Sequence, residues 1–349
     1  DRILILGSRM AEADSSSWYK GVTFDQSVTK FMQIDIDPTE IGRNYPVMIG
    51  AQADLKHALA QILEAAKELK PEGIDRPELR KEIADFKANF RKQNQAICDD
   101  GRFPMTPQRI LRDVKALVPE DALIFTDVGW NKNGVAQQYD INVPGAINHP
   151  SGLATMGFGA AAILGAKLAA PDRVVLTLTG DGGFGAANPC VIATAKEQGI
   201  PVIWIVMNNS AFGTIAGLEG AHYTNEKENC AQHFGTEFKI RPKDAEGSFC
   251  ESWESYSPDW AAIARGYGIK ARKIQSADEF AEALKEALEC NEPYLIDAPM
   301  ENIAVPTPGV WNINDIYTKK DNVDICNGRL KFPDEMGGKE ATVVRTQAD

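Results

Sequence analysis

The chain has 349 residues, 44% of them apolar and 25% charged, with a net charge of −12, the make-up of a soluble globular protein of about two domains. So acidic a balance argues against a nucleic-acid partner, which needs a basic surface. No stretch of roughly 18 apolar residues supplies a helical membrane span.

Arg2 to Leu6 reads as a short strand closing at the Gly7 turn rather than as a secretion signal, since no basic leader precedes it. Residues 31–36 read as a second strand, followed by Asp37-Pro38. Asp54 is placed to cap a helix whose apolar face carries Leu55, Leu59, Ile62, Leu63 and Ala66. These elements form a first unit, residues 1–70. Residues 71–105 are charge-rich and hold Pro71, Pro77 and Pro104, which predicts a linker with one surface helix.

A stronger α/β rhythm occupies residues 106–300. A helix is expected over 108–117 and a strand over 122–125, ending in Thr126-Asp127-Val128-Gly129. A small-residue helix over 157–170 leads to an uncharged strand, 174–179, which should be buried on both faces and runs into Gly180-Asp181-Gly182-Gly183. Asn188-Pro189 suggests an N-cap with proline at the first helical position, and that helix should stop at Gly199. A second buried strand, 201–207, ends at Asn208-Asn209. Ser257-Pro258 suggests another helix start, Ser276 and Glu279 a capping box before 280–290, and 294–298 a last strand. Residues 301–349, with Pro306, Pro308 and Gly309, read as a tail, either a lid from Asn302 to Tyr317 or a docked surface segment. The fold class is α/β, a doubly wound and mostly parallel sheet preceded by part of a Rossmann-like domain.

Six cysteines are present: Cys98, Cys190, Cys230, Cys250, Cys290 and Cys326. None forms a C-x-x-C pair, and the four histidines complete no obvious zinc site. Cys190 and Cys290 fall in helical patterns and are expected to be buried apolar residues. A reduced, cytoplasmic setting is expected.

In such a sheet, ligands bind outside the carboxyl ends of the strands. Residues 127–132, 180–183 and 208–213 fall there, and 151–159 joins them. Gly180, Gly182 and Gly183 let backbone N–H groups approach an anion. Asp181 offers a hard carboxylate oxygen, and Asn208 or Asn209 a neutral one from the next strand. Mg²⁺ takes six oxygens near 2.1 Å, often including phosphate and water. Gly-Asp-Gly alone is an ordinary turn, and so is Asn-Asn. Strand, Gly-Asp-Gly, helix, strand and Asn-Asn in that order, with 25 residues between the motifs, is far more specific.

Gly180-Asp181-Gly182 with Asn208-Asn209 resembles the diphosphate-binding motif of thiamine-diphosphate enzymes. Residues 151–159 with 160–173, Thr126-Asp127-Val128-Gly129 and residues 31–42 resemble the acetolactate synthase-like branch. The resemblance covers residues 1–70, as the end of the family's middle domain, and 106–300, as its diphosphate-binding domain. It implies that the metal is held by Asp181, by the amide oxygen of Asn209 and by the backbone carbonyl of Ala211. One extra residue in the spacing leaves Asn208 as an alternative. Gly129, Trp130, Asn131, Gly182 and Gly183 should face the diphosphate. The backbone at Ala154 and Met156 should bond the aminopyrimidine, with Met156 under the bent cofactor. Gly180, Phe212 and Gly213 complete the expected cofactor surface. Ala154 departs from the family's usual glycine, and Trp130-Asn131-Lys132 from its Gln-His-Gln type sequence.

The family's activating glutamate lies in an N-terminal pyrimidine-binding domain, so none is assigned here. A separate domain or subunit is expected to supply it, in a homo- or hetero-oligomer. The implied chemistry is C–C bond cleavage or ligation on a 2-keto acid or 1,2-dicarbonyl compound. An acetolactate synthase-like carboligase comes first, a cyclohexane-1,2-dione hydrolase-like or glyoxylate carboligase-like activity second. A non-catalytic subunit that keeps the fold is the alternative of another class. Asp35 and Asp37 lie where some members bind FAD or ADP; a strand-end turn is the plainer reading. Gly157-x-Gly159-x-x-Ala162 mimics a dinucleotide fingerprint without following a strand, which argues against NAD. His149 and His222 lie near the expected crevice and could contact substrate, though a lone loop histidine is more often structural; Phe212 and Trp311 could wall the pocket, though aromatic residues are usually core.

Overall fold

A computed structural model describes residues 2–11, 15, 24–187, 189–216, 224–225, 230–233, 236–245, 249–250, 253–302, 323–324, 329–331 and 340–342. The chain divides into two compact units, residues 1–86 with 311–349, and residues 87–310. His222, Trp311 and Asn188 lie outside the described residues, as does most of the tail, including the expected lid beyond Asn302.

In the first unit, β1 (Arg2–Leu6), β2 (Lys30–Asp35) and β3 (Val47–Gln52) form a parallel sheet in that order. β3 has no clear alternation of apolar residues, and its pairing with β2 is interrupted by a register shift at Phe31/Met32; the sequence pattern did not reveal it. Phe24, Phe31 and Tyr45 meet edge-on or tilted, with ring centroids 5.1–5.6 Å apart. Asp54 caps α1 (Leu55–Leu69) by accepting from the Lys56 N–H. The apolar face of α1 is uncovered, with Leu59, Ile62 and Leu63 all at least 40% exposed. Asp35 and Asp37 are engaged in the turn after β2: Asp35 accepts from the Asp37 N–H, and Asp37 from the Thr39 N–H and hydroxyl.

The charge-rich stretch forms one long helix, α2 (Pro77–Cys98), with the boundary between the units inside it. The second unit contains α3 (Pro107–Leu117), β4 (Leu123–Thr126), α4 (Trp130–Gln138), β5 (Ile147–Asn148), α5 (Phe158–Ala169) and β6 (Val175–Gly180). It continues with α6 (Asp181–Ala186), α7 (Val191–Gln198) and β7 (Ile203–Asn208). Three short strands, Thr224–Asn225, Cys230–His233 and Phe249–Cys250, follow, then the helix Trp260–Gly266, the strand Lys270–Lys273, the helix Ala277–Glu289 and the strand Tyr294–Pro299.

Six strands make one parallel sheet. From one edge the order is Lys270–Lys273, Tyr294–Pro299, β7, β6, β4, β5. β5 and β6 flank β4 on opposite sides, so the direction of winding reverses there, the position where α/β sheets open a ligand crevice. The strands β6 and β7 are buried on both faces, as their uncharged runs predict. One core packs Ile110, Leu111 and Val114 of α3 with Phe280 and Leu284 against one face. The other packs Ile163 of α5, Ile192 of α7 and Trp260 against the opposite face. Trp204, fully buried, donates its ring N–H to the Ala160 carbonyl at 2.9 Å, tying β7 to α5.

Three local expectations are corrected. α7 starts at Val191 with Cys190 as its N-cap residue and no side-chain cap bond, so Asn188-Pro189 does not open the helix. Cys190 is exposed rather than buried, because a cap position lies outside the helix face that packs on the sheet. The later helix is capped by Asp259, whose carboxylate accepts from the Ala262 N–H at 2.7 Å; Ser257 turns toward Asn208 instead. By contrast, Gly199 ends α7 in the left-handed conformation (φ 61°), as a glycine C-cap should.

Candidate functional site

The carboxyl ends of β4, β6 and β7 open onto one cleft of about 190 Å³. Its walls include Gly129 and Asn131 after β4, Met156 before α5, Gly180, Gly182 and Gly183 after β6, and Asn209, Ala211, Phe212 and Gly213 after β7. The sequence had assigned all of these. It had not assigned Val128, Lys132, Asn133, Met207, Thr214, Ile215 and Met300, which also line it. Ala154 does not line the cleft. It lies in the left-handed region (φ 54°), where glycine is the less strained residue. Trp130 is the first residue of α4. His149 is exposed and does not line the cleft.

Asp181 is the first residue of α6, directly after β6, and its side chain is fully buried. One carboxylate oxygen, Oδ2, has no partner. Burial pushes its carboxyl up to about 7, while nearby backbone N–H groups of Asp181, Asn209 and Gly182 pull the other way and the Asp297 charge adds to the rise.

Asn208 and Asn209 point in different directions. Asn208 donates to Ser257 Oγ at 2.7 Å and to Asp297 Oδ1 at 2.9 Å, and accepts from the Ser210 N–H at 3.2 Å. That places its amide away from Asp181. The turn continues through Ser210 in the left-handed conformation (φ 58°). Asn209 Oδ1 lies 2.9 Å from Asp181 Oδ1 and 2.9 Å from the Ala211 carbonyl oxygen. Asn209 Oδ1 thus faces two acceptor oxygens, and the arrangement is repulsive once Asp181 is ionised. Turning the Asn209 amide over would convert both contacts into N–H donations. The opposite face of the amide resists this, because Nδ2 already donates to Asn302 Oδ1 at 3.0 Å.

A cation placed beside these oxygens would resolve the conflict. Cis oxygens of an octahedron with bonds near 2.1 Å stand about 3.0 Å apart, which matches the observed separations. One carboxylate, one amide oxygen and one carbonyl are hard donors suited to Mg²⁺ rather than to softer metals. The donor set, the unpartnered Asp181 oxygen and the glycine-lined wall together fit a metal-bound diphosphate.

The glycines here are sterically required. A Cβ on Gly182 would come within 2.3 Å of the Phe212 ring, and one on Gly183 within 2.5 Å of Asp127 Oδ1. Gly157 combines φ 86° with a Cβ position 2.9 Å from the backbone of Ala187.

Asp127 was not singled out as a site residue, yet it builds the cleft. Fully buried, it accepts from the N–H groups of Val128 (2.9 Å), Gly157 (3.0 Å) and Gly159 (3.0 Å). It thereby fastens the start of α5, and with it Met156, to the end of β4. The legible signal was a carboxylate directly after a buried strand, with glycines at the start of a later helix.

Comparison with known proteins gives concordant matches. The central domain of thiamine pyrophosphate enzymes matches residues 1–62, and the C-terminal TPP binding domain of thiamine pyrophosphate enzymes matches residues 127–298. The chain is 32% identical over 317 residues to a probable acetolactate synthase large subunit of Methanococcus aeolicus, covering 86% of this chain and 49% of that protein. It is 30% identical over 330 residues to a chloroplastic acetolactate synthase of Arabidopsis thaliana (89% and 45%). It is 29% identical over 316 residues to the acetolactate synthase isozyme 1 large subunit of Escherichia coli (89% and 50%). The chain spans about half the length of the curated relatives it matches.

Proposed function

The chain belongs to the thiamine pyrophosphate enzymes, and on that premise we propose that it is the diphosphate-binding half of an acetolactate synthase-like carboligase or lyase, loaded with thiamine diphosphate through a divalent cation such as Mg²⁺. The observation that carries this reading is Asn209 Oδ1 at 2.9 Å from both Asp181 Oδ1 and the Ala211 carbonyl oxygen, beside a glycine-lined cleft. These three oxygens would take adjacent corners of the metal's coordination sphere, leaving the rest to diphosphate oxygens and water. Asn208, bonded to Asp297 and Ser257, is not the ligand in this reading.

When bound, the cofactor supplies the nucleophilic carbon that makes or breaks a C–C bond beside the carbonyl of a 2-keto acid or 1,2-dicarbonyl compound. The chain's own residues bind and orient. Gly129, Gly182 and Gly183 let backbone approach the diphosphate, and Lys132 in the cleft wall adds a cation on the same side. Met156 and Phe212, partly exposed at the cleft, present apolar surface to the rest of the cofactor. The relatives' names support acetolactate formation from a 2-keto acid as the first substrate class to test.

Calorimetric titration with thiamine diphosphate, with and without Mg²⁺, tests the binding. Mg²⁺-dependent uptake supports the proposal. Its absence, even with a pyrimidine-binding domain restored, would favour a non-catalytic subunit. Turnover of pyruvate against cyclohexane-1,2-dione or glyoxylate, with that domain present, then separates the reaction types.

A further inference from the structure

The Asn209 amide has two faces, and the choice between them decides whether an oxygen or two protons meet a cation. Turned one way, Oδ1 faces Asp181 Oδ1 and the Ala211 carbonyl, an arrangement that repels when Asp181 is ionised and no metal is bound. Turned the other way, Nδ2 would donate to both at 2.9 Å. Local contacts around Asp181 therefore favour the wrong orientation, and something behind Asn209 must hold the right one.

The chain of bonds behind it does so. Asn209 Nδ2 donates to Asn302 Oδ1 (3.0 Å), and Asn302 Nδ2 donates to Glu237 Oε1 (2.7 Å). The Glu237 carboxylate pairs with Lys239 at 3.1 Å, and both of these side chains are less than a tenth exposed. A carboxylate only accepts. It therefore fixes which end of the Asn302 amide faces it, and Asn302 in turn fixes Asn209. An isolated backbone bridge between Ala211 and Glu237, with the Phe212 N–H donating to the Thr236 carbonyl, sets the segment around Glu237 beside the loop after β7.

We propose that Glu237, acting through Asn302, is a polarity relay that keeps the Asn209 amide oxygen turned toward the metal site. Both are positioning residues, and the inference rests on the metal-site reading above. Outer-shell partners of metal ligands typically change metal affinity by about ten- to a hundredfold when removed. Asn302 is exposed in this chain, so water competes and the lower end, about tenfold, is expected.

The relay makes a prediction that simple structural support does not. In Glu237→Gln, the new amide would place its oxygen toward Lys239 and its N–H₂ toward Asn302. Asn302 would turn over, then Asn209, and N–H groups would face Asp181. Adding Asn302→Asp to that variant restores the original polarity. Asp at 302 accepts from both Gln at 237 and Asn209, so the Asn209 oxygen again faces the metal.

The test measures Mn²⁺ binding to the full 349-residue chain at saturating thiamine diphosphate, by electron paramagnetic resonance of free Mn²⁺. The variants are Glu237→Gln, Asn302→Ala, the double Glu237→Gln/Asn302→Asp, and Asp181→Asn. Melting curves confirm that each is folded. About tenfold weakening in E237Q and N302A, with recovery in the double variant, is the expected result. If N302A does not fold, the contrast between E237Q and the double variant carries the test. Wild-type affinity in E237Q, or a double variant as weak as E237Q, overturns the relay. If wild type fails to bind Mn²⁺, or Asp181→Asn binds as well as wild type, the metal-site reading fails instead.

Discussion

Asp181→Asn is expected to stabilise the metal-free protein while abolishing its response to metal. Asp181 is fully buried, and burial raises its carboxyl from the usual 3.8 to about 7. The fold therefore prefers the protonated form. This group's contribution to stability is complete below about pH 4, and it is lost progressively as pH rises to about 7. Three pKa units at 1.36 kcal/mol each give about 4 kcal/mol as the upper bound of the loss. An asparagine of nearly the same shape carries no charge, and its N–H₂ can donate toward the Asn209 oxygen. In urea unfolding at pH 8 the metal-free variant should exceed wild type by up to about 4 kcal/mol, and at pH 4 the two should be nearly equal. The difference between variant and wild type cancels groups common to both. With Mg²⁺ and thiamine diphosphate the order should reverse, because only wild type gains stability from binding. A variant that is less stable at pH 8, or that still gains stability from Mg²⁺ and cofactor, would refute the reasoning.

The surrounding scaffold gives further expectations. Asp127→Ala would leave three backbone N–H groups without their carboxylate, costing about 3 kcal/mol in denaturant unfolding and loosening the Met156 segment, seen as weaker cofactor binding in calorimetry. Gly182→Ala should displace the Phe212 ring, weakening thiamine diphosphate binding by about tenfold with a stability loss of roughly 1–3 kcal/mol, measured by titration and melting. Ala154→Gly should raise stability by up to about 1 kcal/mol in chemical denaturation, since the residue already occupies the left-handed region. Metal must displace the Asp181 proton, so apparent Mg²⁺ affinity should fall about tenfold per pH unit below about 7 and level off above it, by calorimetry across pH.

Much of the second unit's sheet is visible in the sequence, because β6 and β7 are uncharged apolar runs closed by glycine or asparagine, and parallel strands buried on both faces leave that mark. Edge strands leave a weaker one. Lys270–Lys273 has three charged residues of four and β5 is two residues long, and neither stands out by pattern. Capping chemistry was legible at Asp54 and Ser276 but misplaced at Ser257, where the apparent cap is occupied by the Asn208 amide and Asp259 serves two residues later. The cleft walls could be named from their glycines. The choice between Asn208 and Asn209 could not, since it depends on Asp297 and Ser257, distant in sequence, claiming the first amide. Asn302 and Glu237 were illegible as site residues for the same reason: one follows the last strand and the other lies beyond the β7 loop, and only the fold brings them behind Asn209.

The central claim is that Asp181, Asn209 and Ala211 present three oxygens to one cation. A crystal grown with Mn²⁺ and thiamine diphosphate, measured for the anomalous signal of manganese, tests it most directly. The account predicts a peak about 2.1–2.2 Å from Asp181 Oδ1, Asn209 Oδ1 and the Ala211 carbonyl oxygen, with the diphosphate on its open side. A peak elsewhere, or an Asn209 amide donating its N–H₂ to Asp181 with the cofactor bound, would contradict it.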